Sequence, residues 1–77
     1  MNSKLSAVVY MEGDWYVSLC PELDIASQGR TTDEAIKNLK EAVELYLEDA
    51  DVELPRKDPV ITTFEVSYEK RTLAVSS

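Results

Sequence analysis

Fifteen carboxylates and one cysteine are the side chains with which this 77-residue chain could do chemistry. Histidine, the side chain best suited to moving protons near neutral pH, is absent from the sequence. Cys20 is the one candidate nucleophile, but it has no histidine as its base and no lysine or arginine close to it in sequence. We therefore interpret Cys20 as a half-buried structural residue in front of a turn.

Clustered carboxylates could instead hold divalent metal ions, as they do in two-metal nucleases. Such a site would need an acid in the middle of the first strand, and residues 4–11 contain none. Glu12 and Asp14 belong to a turn, and Glu41 and Glu44 fall on the polar side of a predicted helix. A lone thiol without histidine cannot complete a zinc site. We expect no catalytic, cofactor-binding or metal-binding residue, and a degenerate metal-dependent nuclease is the weakest alternative.

The net charge of −7 is concentrated in one part of the chain. Residues 31–54 hold eight acids and two bases, which gives this stretch a charge of −6. Because a negative surface repels a phosphate backbone, we expect no direct nucleic-acid binding. The same charge could steer a basic protein partner. The plainer interpretation is a solvated helix surface that keeps the chain soluble.

Three strands are predicted in the first part of the chain. Residues 4–12 and 15–20 alternate in polarity and are rich in β-branched and aromatic side chains. Between them, Gly13 supplies the positive φ that a tight hairpin turn needs. Pro21 ends the second strand in a turn, and a weaker pattern predicts a third strand over residues 24–29.

A capping box marks the start of the one predicted helix. The Thr31 hydroxyl is placed to accept a hydrogen bond from the backbone N–H of Glu34, whose carboxylate would reach back to the N–H of Thr31. Apolar residues then recur every three or four positions, which predicts a helix over residues 32–50. This apolar stripe consists of Ala35, Ile36, Leu39, Ala42, Val43, Tyr46, Leu47 and Ala50.

A connector at residues 54–59, broken by prolines, precedes a final predicted strand at residues 60–69. The order is therefore β-β-β-α-β. This order predicts an α+β fold, in which an antiparallel-dominated sheet carries one helix on one face. We expect a single domain over residues 1–77, without a C-terminal DNA-binding domain.

Alternation along the strands assigns the two faces of the sheet. The helix stripe is expected to pack on a face formed by Leu5, Val9, Trp15, Val17 and Phe64. The reverse face carries Val8, Tyr10 and Tyr16, and exposed apolar surface of this kind tends to mark an interface. These three residues are the predicted protein interface, either between copies of the chain or with another protein.

A chain this short buries a small core and needs support from disulfides, a metal or oligomerisation. One cysteine cannot form an internal disulfide, so we expect a homo-oligomer, either a dimer or a tetramer. The sequence shows no signal peptide and no apolar run near the ~20 residues of a membrane span. We therefore expect a cytoplasmic protein without a membrane partner, which the lone cysteine also favours.

Four short motifs follow one another along the chain. They are EGDWYV at residues 12–17, CPEL at residues 20–23, SQG at residues 27–29 with Thr31 after it, and EAVELYLE at residues 41–48. Each motif alone is weak, but their order and spacing are specific. Together they resemble the amino-terminal domain of HicB-like antitoxins over roughly residues 5–48.

The resemblance implies a partial ribonuclease-H-like fold and a role without catalysis. Members of that family typically bind HicA, a small basic mRNA interferase, and block its catalytic site. An acidic antitoxin suits a basic ribonuclease electrostatically. The resemblance thus implies an antitoxin-like protein-binding module. The alternative is a stand-alone HicB-like scaffold or regulatory protein that binds a different protein.

Overall fold

The computed structural model describes residues 3–49 and 51–69. Within this part of the chain lie three strands and one helix, namely β1 (Val8–Glu12), β2 (Trp15–Cys20), β3 (Ile25–Gly29) and α1 (Thr32–Asp49). The strands form an antiparallel sheet in the order β1-β2-β3, and α1 packs on one of its faces. The predicted α+β fold is confirmed as β-β-β-α.

Two tight turns connect the strands. Gly13 has a φ of 64° between β1 and β2, which suits the first central position of a type II′ hairpin turn and which glycine adopts at little cost. After β2, the N–H of Leu23 donates to the carbonyl oxygen of Cys20 at 3.3 Å, closing the predicted turn around Pro21. Asp24, with a φ of 56°, then redirects the chain into β3.

The N-terminus of α1 carries the predicted cap, with one change of partner. The N–H of Glu34 donates to Thr31 Oγ1 at 3.0 Å, and the N–H of Ala35 donates to the Thr31 carbonyl at 2.9 Å. The Glu34 carboxylate accepts from the N–H of Arg30 and not from that of Thr31. The helix was expected to run to Ala50, which lies outside the described residues.

The core lies between α1 and the sheet. Its centre is formed by Cys20, Leu39 and Val43, and the side chains packed around it are Leu5, Leu23, Ile25 and Leu47. Ser18 is also buried, and its Oγ donates to the carbonyl oxygen of Ala35 at 2.8 Å. A buried hydroxyl is tolerated here because it has this partner. The bond also shows that Ser18 and α1 lie on the same side of the sheet.

The side of β2 that faces the helix differs from the prediction. Side chains alternate along a strand, so Tyr16 and Cys20 share the helix side with Ser18, whereas Trp15 and Val17 point to the other side. The assignment of Trp15 and Val17 to the helix-packing face was therefore wrong. The small Ser18 and Cys20 let α1 approach the sheet closely, a requirement that outweighed the apolar bulk of Trp15.

The fourth strand predicted over residues 60–69 does not join the sheet in this chain. Residues 51–69 form no strand or helix, and Phe64, expected against the helix, is exposed. Alternation shows which side chains a strand would bury, but it does not specify which edge supplies the backbone hydrogen bonds. Residues 70–77, which follow this segment, lie outside the described residues.

Candidate protein-binding surface

The face of the sheet turned away from α1 is apolar. The strand register places Val8 opposite Leu19 and Tyr10 opposite Val17, and Trp15 adjoins them at the hairpin end. We call these five residues the open face. Val8, Tyr10 and Trp15 are 41%, 49% and 38% exposed. Among residues 3–49 and 51–69, the one other element is α1, which covers the opposite side.

The open face has a polar rim. β3 contributes Ala26 and Gln28 beside the apolar rows, so the apolar surface is concentrated on β1 and β2. At the hairpin end, the guanidinium of Arg30 lies over the Trp15 ring at 4.4 Å from its centroid, within the range of a cation–π contact. Tryptophan, tyrosine and arginine are enriched among the residues that contribute most to protein binding.

The three residues of the predicted interface, Val8, Tyr10 and Tyr16, do not all lie on the same side of the sheet. Val8 and Tyr10 lie on the open face, as expected, whereas Tyr16 lies opposite Met11 on the helix side and is half-buried. The sequence interpretation missed Trp15, Val17 and Leu19 on the open face. The signal that could have revealed them is the pair of small residues, Ser18 and Cys20, which alternate with these three along β2 and so point to the opposite side of the sheet.

The acidic surface lies on the far side of the molecule from the open face. Carboxylates such as Glu41 and Glu48 are exposed on α1, and α1 covers the sheet face opposite the open face. For a partner docked on the open face, the charge of α1 would act at long range, through attraction during approach.

A hydrogen-bonded cluster joins the start of the chain to the turn after β2. The Glu22 carboxylate accepts from the N–H of Ser6 at 2.9 Å, from the Ser6 hydroxyl at 2.6 Å and from the Cys20 thiol at 3.6 Å. The Ser6 hydroxyl bond holds the pKa of Glu22 below its usual value, and burial raises the pKa of Cys20. A buried, protonated thiol is a poor nucleophile. The hydrogen bonds of the cluster hold Ser6 against the turn after β2.

The acids considered for a metal-dependent nuclease are exposed on the surface. Glu12 and Asp14 are exposed at the β1–β2 hairpin. Within the described part of the chain, no group of three or more histidine, cysteine, aspartate or glutamate side chains is arranged to hold a metal ion. Among the same residues, no helix combines the length and apolar character needed to cross a membrane.

Comparison with known proteins identifies a relative that spans most of the chain. No protein-family model and no solved structure matches the sequence. A UPF0150 protein from Helicobacter pylori strain J99 is 35% identical over 69 residues, which cover 83% of this chain and 96% of the relative. Identity at this level over nearly the whole length indicates common descent, and the chain belongs to the UPF0150 family.

Proposed function

We propose that the chain is an antitoxin-like protein-binding module that neutralises a HicA-type mRNA interferase by covering its active site. The observation that carries the proposal is the open face, an apolar sheet surface with two exposed aromatic side chains, Tyr10 and Trp15. The HicB-like motifs of the sequence support it, and so does the strongly acidic charge of −7. A target that acts on mRNA would place this function in the cytoplasm.

Binding would proceed in two physically distinct steps. The negative field of the chain accelerates the approach of a basic protein, an effect that weakens as salt increases. Docking then removes the open face from water, and Tyr10 and Trp15 act as the anchors that contribute most of the affinity. Inhibition follows from steric exclusion of RNA from the toxin, so the chain itself needs no reactive group.

Inhibition of RNA cleavage tests the proposal directly. The chain is titrated into an RNA-cleavage assay of a HicA-type ribonuclease, and inhibition is expected to saturate at one chain per toxin. Tyr10→Asp is expected to weaken inhibition about tenfold or more, because it places a charge within the docking surface. Leu45→Asp is the matched control, since Leu45 is an exposed apolar residue of α1.

The outcomes separate the proposal from its alternatives. Failure to inhibit at a molar excess contradicts the antitoxin function, and equal effects of Tyr10→Asp and Leu45→Asp contradict the role of the open face. Binding without inhibition favours the alternative of a HicB-like scaffold or regulatory protein with another partner. RNA cleavage by the chain alone with Mg²⁺ or Mn²⁺, abolished by changing Glu12 or Asp14, would restore the nuclease alternative.

A further inference from the structure

A groove separates α1 from the residues that lead into β1. Its volume is about 470 Å³, and its apolar lining includes Leu5, Ala7, Ile36, Leu39, Val43 and Leu47. The groove lies along residues 3–7, directly before β1. β1 itself pairs with β2 alone among the described strands. The unpaired N–H and C=O groups of such an edge can accept a further strand. The structure therefore has a free strand edge and, along the residues that lead into it, an apolar groove that a neighbouring strand would fill.

Segment 60–69 has the pattern of that missing strand. Val60, Phe64, Val66 and Tyr68 share one face, together with Thr62, and the other face carries Thr63, Glu65, Ser67 and Glu69 beside one apolar residue, Ile61. A strand with one apolar and one polar face typically packs its apolar face against other apolar side chains. The large apolar side chains of this segment are nevertheless 63–92% exposed. They do not line the groove of their own chain.

We propose that segment 60–69 of a second copy pairs with the free edge of β1, and that two copies exchange this segment reciprocally. The Phe64 face of the segment enters the groove, and its polar face continues the plane of the open face. At roughly 3.3 Å per residue, the five residues of β1 offer an edge of about 17 Å, so part of the ten-residue segment pairs with β1 and the rest lies along the groove beside residues 3–7. Each copy carries both halves of the contact, so the assembly closes as a twofold dimer.

The connector favours exchange over folding back. Pro55 and Pro59 restrict the residues before them, Leu54 and Asp58, to extended conformations, which stiffens the link between α1 and the segment. A link that holds a segment extended away from its own chain favours exchange of that segment between identical chains. Leu54 borders the groove of its own chain, so the connector leaves from beside the surface that the partner's segment would fill.

The buried area is sufficient for a stable dimer. Phe64 and Tyr68 would each bury about 150–250 Å², so two arms together remove about 600–1,000 Å² from water through the aromatic rings alone. The two valines of each segment and the groove lining add to this area. The total reaches the range of about 1,200–2,000 Å² that is typical of specific protein interfaces.

Two variants damage opposite halves of the contact. Phe64→Asp places a charge on the apolar face of the segment, and Ile36→Asp places one in the groove. Both side chains are exposed in the single chain, so neither change removes a core contact from the sheet or helix. Thr63→Asp, on the polar face of the segment, is the matched control. Circular dichroism checks that each variant retains the wild-type secondary structure.

Sedimentation equilibrium of the full chain provides the measurement. The wild type is expected to be a dimer at micromolar concentration. Phe64→Asp and Ile36→Asp are expected to weaken dimerisation about tenfold or more, and Thr63→Asp to change it by no more than about twofold. An equimolar mixture of Phe64→Asp and Ile36→Asp is expected to form a heterodimer more tightly than either variant alone. The reason is that one of its two arms joins an intact segment to an intact groove.

Each other result overturns the exchange. A wild type that stays monomeric means that the segment does not join two copies. Equal effects of Phe64→Asp and Thr63→Asp, or a mixture that fails to recover dimerisation, exclude the pairing of segment with groove. A dimer disrupted by Tyr10→Asp and unaffected by Phe64→Asp would place the contact on the open face. Toxin inhibition is read separately from these outcomes, so the two proposals can fail independently.

Discussion

At the scale of single residues, Glu22 links two parts of the chain that are sixteen residues apart. Its carboxylate binds both the backbone N–H and the hydroxyl of Ser6, and it also accepts from the thiol of Cys20. This arrangement fixes the residues that lead into β1 against the turn that follows β2. The charge of Glu22 is thus used inside the fold, in contrast to the solvated carboxylates of α1.

The hydrogen bonds to Glu22 predict a dependence of stability on pH. The Ser6 hydroxyl keeps the pKa of folded Glu22 below its ordinary 4.5. The stabilisation is therefore complete above about pH 4.5 and is lost as the pH falls through the lower, folded pKa. In urea denaturation, the wild type is expected to exceed Glu22→Gln in free energy of unfolding at about pH 7, and the difference should shrink at about pH 3.

Glu65→Gln provides the control for this pH series, because Glu65 is an exposed carboxylate in segment 60–69. Its free energy of unfolding should stay close to that of the wild type at every pH. A gap between wild type and Glu22→Gln that keeps the same size from neutral to acidic pH would refute the assigned role of the charged carboxylate.

At the scale of elements, the spacing between α1 and the sheet depends on Gly29. A Cβ added to Gly29 would lie 2.6 Å from the backbone nitrogen of Ala35 and 2.8 Å from the carbonyl carbon of Glu34. These are backbone atoms of the first helical turn, so they cannot move aside as a flexible side chain would. The end of β3 and the start of α1 are therefore packed backbone against backbone.

Gly29→Ala is expected to destabilise the chain through this contact. Overpacking of this kind costs about 1–3 kcal/mol, and the backbone contact places Gly29→Ala near the upper end. Gly13→Ala is the comparison, because its added Cβ would meet open space and only the φ of 64° opposes it, at about 1 kcal/mol. Urea denaturation of both variants shows which one loses more free energy of unfolding. A Gly29→Ala variant as stable as the wild type would contradict the close approach of α1 to β3.

At the scale of the whole molecule, the open face and the groove are separate surfaces. The open face lies on the sheet side away from α1, and the groove lies between α1 and the residues before β1. Filling the groove with an exchanged strand would leave the open face accessible. Self-association and binding of a toxin are then compatible, and a dimer would present two open faces.

Reciprocal exchange predicts that thermal stability depends on protein concentration. If dimers unfold to separate chains, mass action raises the Tm as the concentration increases. In thermal melts followed by circular dichroism, the Tm of the wild type is expected to rise over about a hundredfold range of protein concentration. Phe64→Asp should flatten it, whereas Thr63→Asp should not. A wild-type Tm that is independent of concentration would count against a dimer coupled to folding.

Much of the local structure was predictable from the sequence. Gly13 and Pro21 marked the ends of β2, and Thr31 with Glu34 marked the start of α1, because turns and caps depend on side chains within a few positions. The centre of the helix stripe, at Ala35, Leu39 and Val43, is buried as predicted. Composition and spacing also led to Val8 and Tyr10, which lie on the open face.

Two features depended on contacts between parts of the chain that are distant in sequence. Alternation divides the side chains of β2 into two sets that point to opposite sides of the sheet. Only the packing of α1 on Ser18 and Cys20 decided which set faces the helix. As a result, Tyr16 lies on the helix side and Trp15 lies on the open face. Alternation likewise predicted a strand at residues 60–69, whereas the tertiary structure left that segment unpaired in its own chain. The physical reason is the same in both cases, since local periodicity specifies which side chains lie together but not which surface covers them.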